Sequence, residues 1–128
     1  MVEAEKILNK NECYEIQGAV FEVYKEIGAG FLESVYQECL EVELGIRGIA
    51  FRSQYEMQSA YKNFQLNSYF KADILGYESI MVELKSCKVI EPNHRAQIIN
   101  YLKATRLGLG LLVNFSSYPK VEIERIIV

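Results

Sequence analysis

Few residues in this sequence punctuate or cross-link the chain. Two prolines among 128 residues, half of them apolar, leave little room for disorder. Three cysteines, Cys13, Cys39 and Cys87, are odd in number and far apart. They suit neither a disulfide framework nor a metal or iron–sulfur spacing, and reduced thiols in a cytoplasmic protein are expected. The single histidine, His94, falls near a helix start, where such a residue serves surface or packing as readily as proton transfer. The N-terminus lacks the basic and apolar segments of a secretory signal. No apolar run approaches the ~20 residues of a membrane span. With no repeat, low-complexity tract or linker, residues 1–128 are expected to form one domain with an ordinary core.

Charge is present but unevenly placed. The net charge of −3 argues against general affinity for nucleic acid. Residues 1–50 carry ten acids against four bases, whereas residues 51–128 carry ten bases against seven acids. The basic excess surrounds a small acidic centre, a pattern open to phosphate binding and to plain solvation alike.

Periodicity orders the elements. Ile16, Val20, Val23 and Ile27 recur at helical spacing from Glu12 to Ile27, and Gly28-Ala29-Gly30 breaks that helix. A second helix over about 32–44 carries Leu32, Val35, Tyr36, Cys39, Leu40 and Leu44, with Glu33 beside this stripe in a row leaning toward the core. Three strand-like runs follow, 51–61, 66–75 and 79–88. Pro92 suits the first turn of a helix ending near Thr105, with His94, Gln97 and Tyr101 on one face. Leu109 to Phe115 reads as a strand buried on both sides, and Val121 to Val128 as an edge strand. The order ααβββαββ predicts an α/β (α+β) fold, a mixed sheet of about five strands flanked by helices.

The centre of the chain is Val82-Glu83-Leu84-Lys85. Alternation sends Met81, Glu83, Lys85 and Cys87 to one face of a strand and Ile80, Val82 and Leu84 to the other. An isolated E-x-K is usually a half-exposed strand with a solvated face. Its neighbour changes the reading. If Tyr77-Glu78-Ser79 forms a three-residue loop, Gly76 faces Ile80 and Asp73 faces Glu83, with Cβ atoms about 5 Å apart. Two carboxylates so placed repel unless one is protonated or a cation lies between them. Mg²⁺ or Mn²⁺, hard ions that prefer oxygen, would resolve the repulsion, and Lys85 on the same face would steady phosphate charge or help deprotonate water. A one-residue slip would separate the acids.

Asp73 followed by Glu83-x-Lys85, on elements in this order, resembles the PD-(D/E)xK nuclease superfamily. Gly30-x-x-Glu33-x-x-Tyr36 reads as the GxxExxY signature of a family of small prokaryotic proteins within it. Gln97-x-x-x-Tyr101 is similar to an element of the RecB-like, restriction-endonuclease-like branch. The residue before Asp73 is Ala72 rather than proline, which removes no ligand, and the iron–sulfur cysteines of some relatives are missing. The resemblance implies Asp73 and Glu83 as metal ligands, aided by the Leu84 carbonyl, and Lys85 as the catalytic lysine. It implies Glu33 as the helical acid that completes the metal site or binds its water. Gln97 and Tyr101 would contact phosphate or hold the lysine.

The function expected is a Mg²⁺-dependent (or Mn²⁺-dependent) nuclease acting on DNA by metal-activated water, with RNA the less favoured substrate. The alternative is an inactive nuclease-fold subunit that binds DNA or a protein. A domain this small has no separate reader module, so specificity would need a homodimer or a larger DNA-processing complex.

Overall fold

Apolar periodicity decides which layer each element joins, and the layers in turn place the polar centre. The computed structural model describes residues 2–128, with side chains described from residue 10 onward. Helices α1 (Val2–Ile27) and α2 (Glu33–Ile46) are followed by strands β1 (Phe51–Tyr61), β2 (Phe64–Gly76) and β3 (Ile80–Lys85). Helix α3 (Pro92–Thr105) and strands β4 (Leu109–Asn114) and β5 (Glu122–Ile127) complete the order ααβββαββ. The strands form one five-stranded sheet in sequential order. β3 and β4 are parallel, joined through α3, and the remaining neighbours are antiparallel.

One face of the sheet packs on α1 and α2. There Ile16, Val20, Tyr36, Leu40 and Leu44 meet Ile74, Val82, Leu84, Leu111 and Val113. On the other face Ile98 and Leu102 of α3 meet Ala72, Met81 and Leu112. β4 lies between the two layers and all six of its residues are buried, as its unbroken apolar run requires. At Gly110 a Cβ atom would stand 2.9 Å from Ile98 Cδ1 and 3.0 Å from Leu102 Cδ1. Glycine there lets α3 approach the strand.

Three boundaries depart from the sequence expectation. α1 begins at Val2 rather than near Glu12. The preceding Glu, Ala, Lys and Leu residues are strong helix formers, so the helix extends beyond its apolar stripe. β2 is longer at its start, beginning at Phe64, because β1 and β2 stay paired to a two-residue turn at Lys62-Asn63. β3 stops at Lys85, so Cys87 lies outside the strand. There the Asn114 side chain takes over from the ladder, accepting from Cys87 N–H at 3.1 Å and donating to Cys87 C=O at 2.8 Å.

A defect crosses β1 and β2. Gln54 has φ +47°, and although Ser53 pairs with Ile74 and Tyr55 with Ala72, Gln54 and Asp73 do not pair. Regular alternation would leave Ala72 and Ile74 on one face. Instead Ile74 packs under α1 and α2 while Ala72 packs under α3. Asp73 sits at the crossover.

Candidate active site

The β2–β3 turn has the register that opposes the acids. Gly76 pairs with Ile80, Leu75 with Met81 and Ile74 with Val82, where the ladder ends. One step further, the side chain of Asp73 replaces the backbone. Its Oδ2 accepts the Leu84 N–H at 2.8 Å. A residue's N–H and C=O project to the same side of a strand, so the Leu84 carbonyl points into the same gap. The backbone of Asp73 is held from α2, whose Gln37 Nε2 donates to the Asp73 carbonyl at 2.9 Å. Gln37 thereby supplies the partner lost at the Gln54 defect. Its amide also reaches Glu41 at 2.7 Å, and Glu41 accepts from Ser53, so β1 is tied into the same brace.

Glu83 is 6 % exposed, and its Oε1 is buried with no hydrogen-bond partner. An ionised carboxylate in that position is expensive to keep unpaired. Burial, and then the adjacent Asp73 charge, push its pKa from 4.5 up to about 8, with Lys85 pulling the other way. Lys85 is half-buried on the same face and enters none of the ion pairs found among the described residues. The Asp73–Glu83–Lys85 group therefore sets a close acid pair and an ammonium beside the Leu84 carbonyl.

The remaining predicted residues stand further out. Glu33 is the first residue of α2 and is exposed, not inclined into the core. With Ser34, Gln37, Gln54, Asp73 and Leu84 it lines a cleft of about 350 Å³. Among the described residues, no three His, Cys, Asp or Glu side chains gather closely enough to hold a metal ion by themselves. Asp73 and Glu83 are together; Glu33 shares its cleft with Asp73, whereas Glu83 does not line it. Gln97 is exposed rather than turned into the sheet, and its Nε2 meets the Tyr101 hydroxyl at 3.4 Å. Tyr101 is half-buried and packs on Phe70 at 4.8 Å. His94 has a structural task, since its Nδ1 accepts the Glu91 N–H at 3.0 Å and closes the start of α3.

Tyr36 is a core residue. Its hydroxyl donates to the Gly28 carbonyl at 2.5 Å and accepts the Phe31 N–H at 3.2 Å, and its ring stacks on Phe115 at 4.4 Å. The loop so held presents Glu33. Ser116 accepts the Gly30 N–H at 3.2 Å, and Ser86 donates to the Phe31 carbonyl, joining the loop to the ends of β3 and β4. Sequence reasoning missed Gln37 and Asn114. Asn114 had a visible sign, a polar residue within an apolar strand, and it is wholly buried. Gln37 had none, because nothing in the local pattern announced the break at Gln54. Asp73 also bears a mark that composition alone contains, for it is the only aspartate in the chain.

The family model of the PD-(D/E)XK nuclease superfamily matches residues 10–126. No curated protein matches the sequence. Among solved structures, the crystal structure of SSO0001 is similar, with a TM-score of 0.55 and 18 % identity over 73 % of this chain. That match covers 48 % of the SSO0001 chain, so the present chain spans about half its length. The likeness is one of fold, and the mixed α+β architecture of five strands and three helices is restriction-endonuclease-like.

Proposed function

This chain belongs to the PD-(D/E)XK nuclease superfamily, and on that premise we propose that it hydrolyses phosphodiester bonds in DNA with the help of a bound Mg²⁺ or Mn²⁺. The observation that carries the reading is the orphaned, buried Glu83 Oε1 beside a second carboxylate. A hard divalent ion suits that donor set, which offers carboxylate and carbonyl oxygen and no sulfur. Asp73, Glu83 and the Leu84 carbonyl would hold it, with Glu33 the further acid facing the cleft. When bound, such an ion activates water and offsets charge on a phosphoryl oxygen.

The chain's own residues do the rest. The Leu84 N–H and the Gln37 brace fix Asp73 before any ligand arrives, so little ordering remains to be done on binding. Glu83 gives up its proton as the site fills. Lys85, in no ion pair among the described residues, offers its ammonium to the charge that builds on the scissile phosphate. Gln97 and Tyr101, joined to each other on α3, would contact the substrate phosphate. Gly30, Glu33 and Tyr36 support placement in the GxxExxY group.

The test is cleavage of single- and double-stranded DNA, and of RNA of matched sequence, with Mg²⁺ or Mn²⁺. Wild-type turnover lost in both Asp73→Ala and Lys85→Ala is expected. Cleavage that survives both substitutions refutes the mechanism. A folded protein that binds DNA without any turnover would instead be an inactive subunit.

A further inference from the structure

The β1–β2 hairpin extends past the sheet it belongs to. β3 pairs with β2 only from Ile74 to Gly76, so the Gln58–Tyr69 end of the hairpin is a two-stranded ribbon. Its aromatic residues are not spent on a core. Tyr61 and Phe64, paired across the turn, are 64 % and 74 % exposed, and Tyr69 is 56 % exposed. A ribbon of this kind has only marginal stability by itself. Cross-strand aromatic pairing adds at most about 1 kcal/mol to it, which does not account for three rings left this exposed and calls for another explanation.

Charge supplies one. From Met57 to Ala72 the sequence contains no Asp or Glu, although the chain holds 17 acids. Within the ribbon Lys62 is the one charged residue, +1 in a chain of −3, while Lys71 below it stands across the strands from Glu56. Lys62 Nζ lies 5.5 Å from the centroid of the Tyr61 ring. Between the aromatics stand the amides Asn63, Gln65 and Asn67, with Leu66 the one exposed aliphatic side chain among them. The ribbon is also continuous with the candidate site. It runs nine residues along β2 from Asp73 to Phe64, about 30 Å at strand rise, and Phe70 at its base packs on Tyr101 at 4.8 Å.

We infer that the β1–β2 ribbon is a stacking arm for unpaired bases, so that the substrate is single-stranded nucleic acid or a duplex with a single-stranded end. This rests on the nuclease reading of the Asp73–Glu83–Lys85 site, which makes nucleic acid the ligand. Aromatic faces stack on bases only when those bases are unstacked from their own helix, and neighbouring lysines meet the phosphates. The arm's length matches about nine stacked nucleotides at ~3.4 Å each. A second copy of the chain is the poorer occupant. The exposed aromatic area of the tip is on the order of 400 Å², half of the ~800 Å² per partner typical of stable interfaces.

Binding is measured in EDTA, where no cleavage occurs, by anisotropy of a labelled oligothymidylate and by quenching of tyrosine fluorescence. Affinity should rise with length to about nine nucleotides and then level off. The double substitution Tyr61→Ala/Phe64→Ala should weaken binding at least tenfold, about what loss of one or two stacked bases costs. Tyr61→Leu/Phe64→Leu, which keeps apolar area and removes the rings, should weaken it to a similar degree. Unchanged affinity in the alanine variant, or full affinity in the leucine variant, overturns the inference. So does a wild-type dimer in light scattering that the alanine variant dissolves. Wild-type protein that binds the oligomer but never cleaves it with Mn²⁺ defeats the nuclease reading and leaves the arm standing.

Discussion

Filling the site should expel a proton, and that proton should come from Glu83. Without a metal, burial and then the facing Asp73 charge push this carboxyl up to about 8. Metal ligation requires the ionised form. At pH 7 a group of that pKa is about nine-tenths protonated, so each Mn²⁺ bound should release about 0.9 proton. Apparent affinity should then climb about 50-fold between pH 6 and pH 8 and flatten above it. Calorimetric titration with Mn²⁺ in buffers of different ionisation enthalpy counts the proton directly. Glu83→Gln should abolish tight binding. In the metal-free protein, Asp73→Asn should lower the Glu83 pKa, because the Asp73 charge is the second cause of its elevation. Carbon-13 NMR of the carboxyl follows that change. A Glu83 carboxyl titrating near 4.5 in wild-type protein, with no proton released on Mn²⁺ binding, would refute the reasoning.

The same group should make metal-free protein less stable as pH rises. Its folded value of about 8 lies above the unfolded 4.5, so the folded state holds the extra proton in that window. The resulting stabilisation is complete below 4.5 and lost as pH passes about 8, an upper bound of about 5 kcal/mol. Urea midpoints should fall over that range, and Glu83→Gln should remove the slope. Tyr36→Phe deletes the hydroxyl shared by Gly28 and Phe31, and should cost about 1–2 kcal/mol in chemical denaturation with little change in the sheet. Gly110→Ala places a methyl against Ile98 and Leu102. It should lower stability by about 1–3 kcal/mol, read as a drop in melting temperature, without altering Mn²⁺ affinity.

Much of the architecture was legible because the pattern that specifies it is local. The helical stripe of α2, the unbroken apolar run of β4 and the alternation of β3 each state their own period. The turn at Tyr77–Ser79 could be counted, and counting it sets Gly76 against Ile80. The misplacements have a common cause. By spacing, Glu33 leans toward the core and Gln97 shares one face of α3 with His94 and Tyr101, yet both are exposed. Each lies at the margin of its helix's buried stripe, where helical period alone does not decide exposure. Cys87 was assigned to β3 because side-chain capture by Asn114 replaces a ladder with no change in hydropathy. Non-local polar bonds of this kind leave no periodic trace in a sequence.

The defect at Gln54 shows why the centre lies where it does. A continuous β1–β2 ladder would occupy the backbone groups of Asp73 and keep β2 on one face throughout. The ladder breaks at Gln54, where φ is positive, apart from the register shift further out between Gln58 and Ala60. β2 then crosses between the two cores, the Asp73 carbonyl is handed to Gln37, and the Asp73 carboxylate turns to the Leu84 N–H. The adjoining pairs of β2 with β3 stop at Ile74–Val82, which leaves a gap bordered by Glu83 and Leu84. Local strain at one glutamine thus sits beside the gap where two carboxylates meet, the kind of strain that tends to gather at functional sites. Beyond the break β2 pairs with β1 alone, through a register shift between Gln58 and Ala60, and a substrate lying along the arm would reach the acids at the point where the sheet opens.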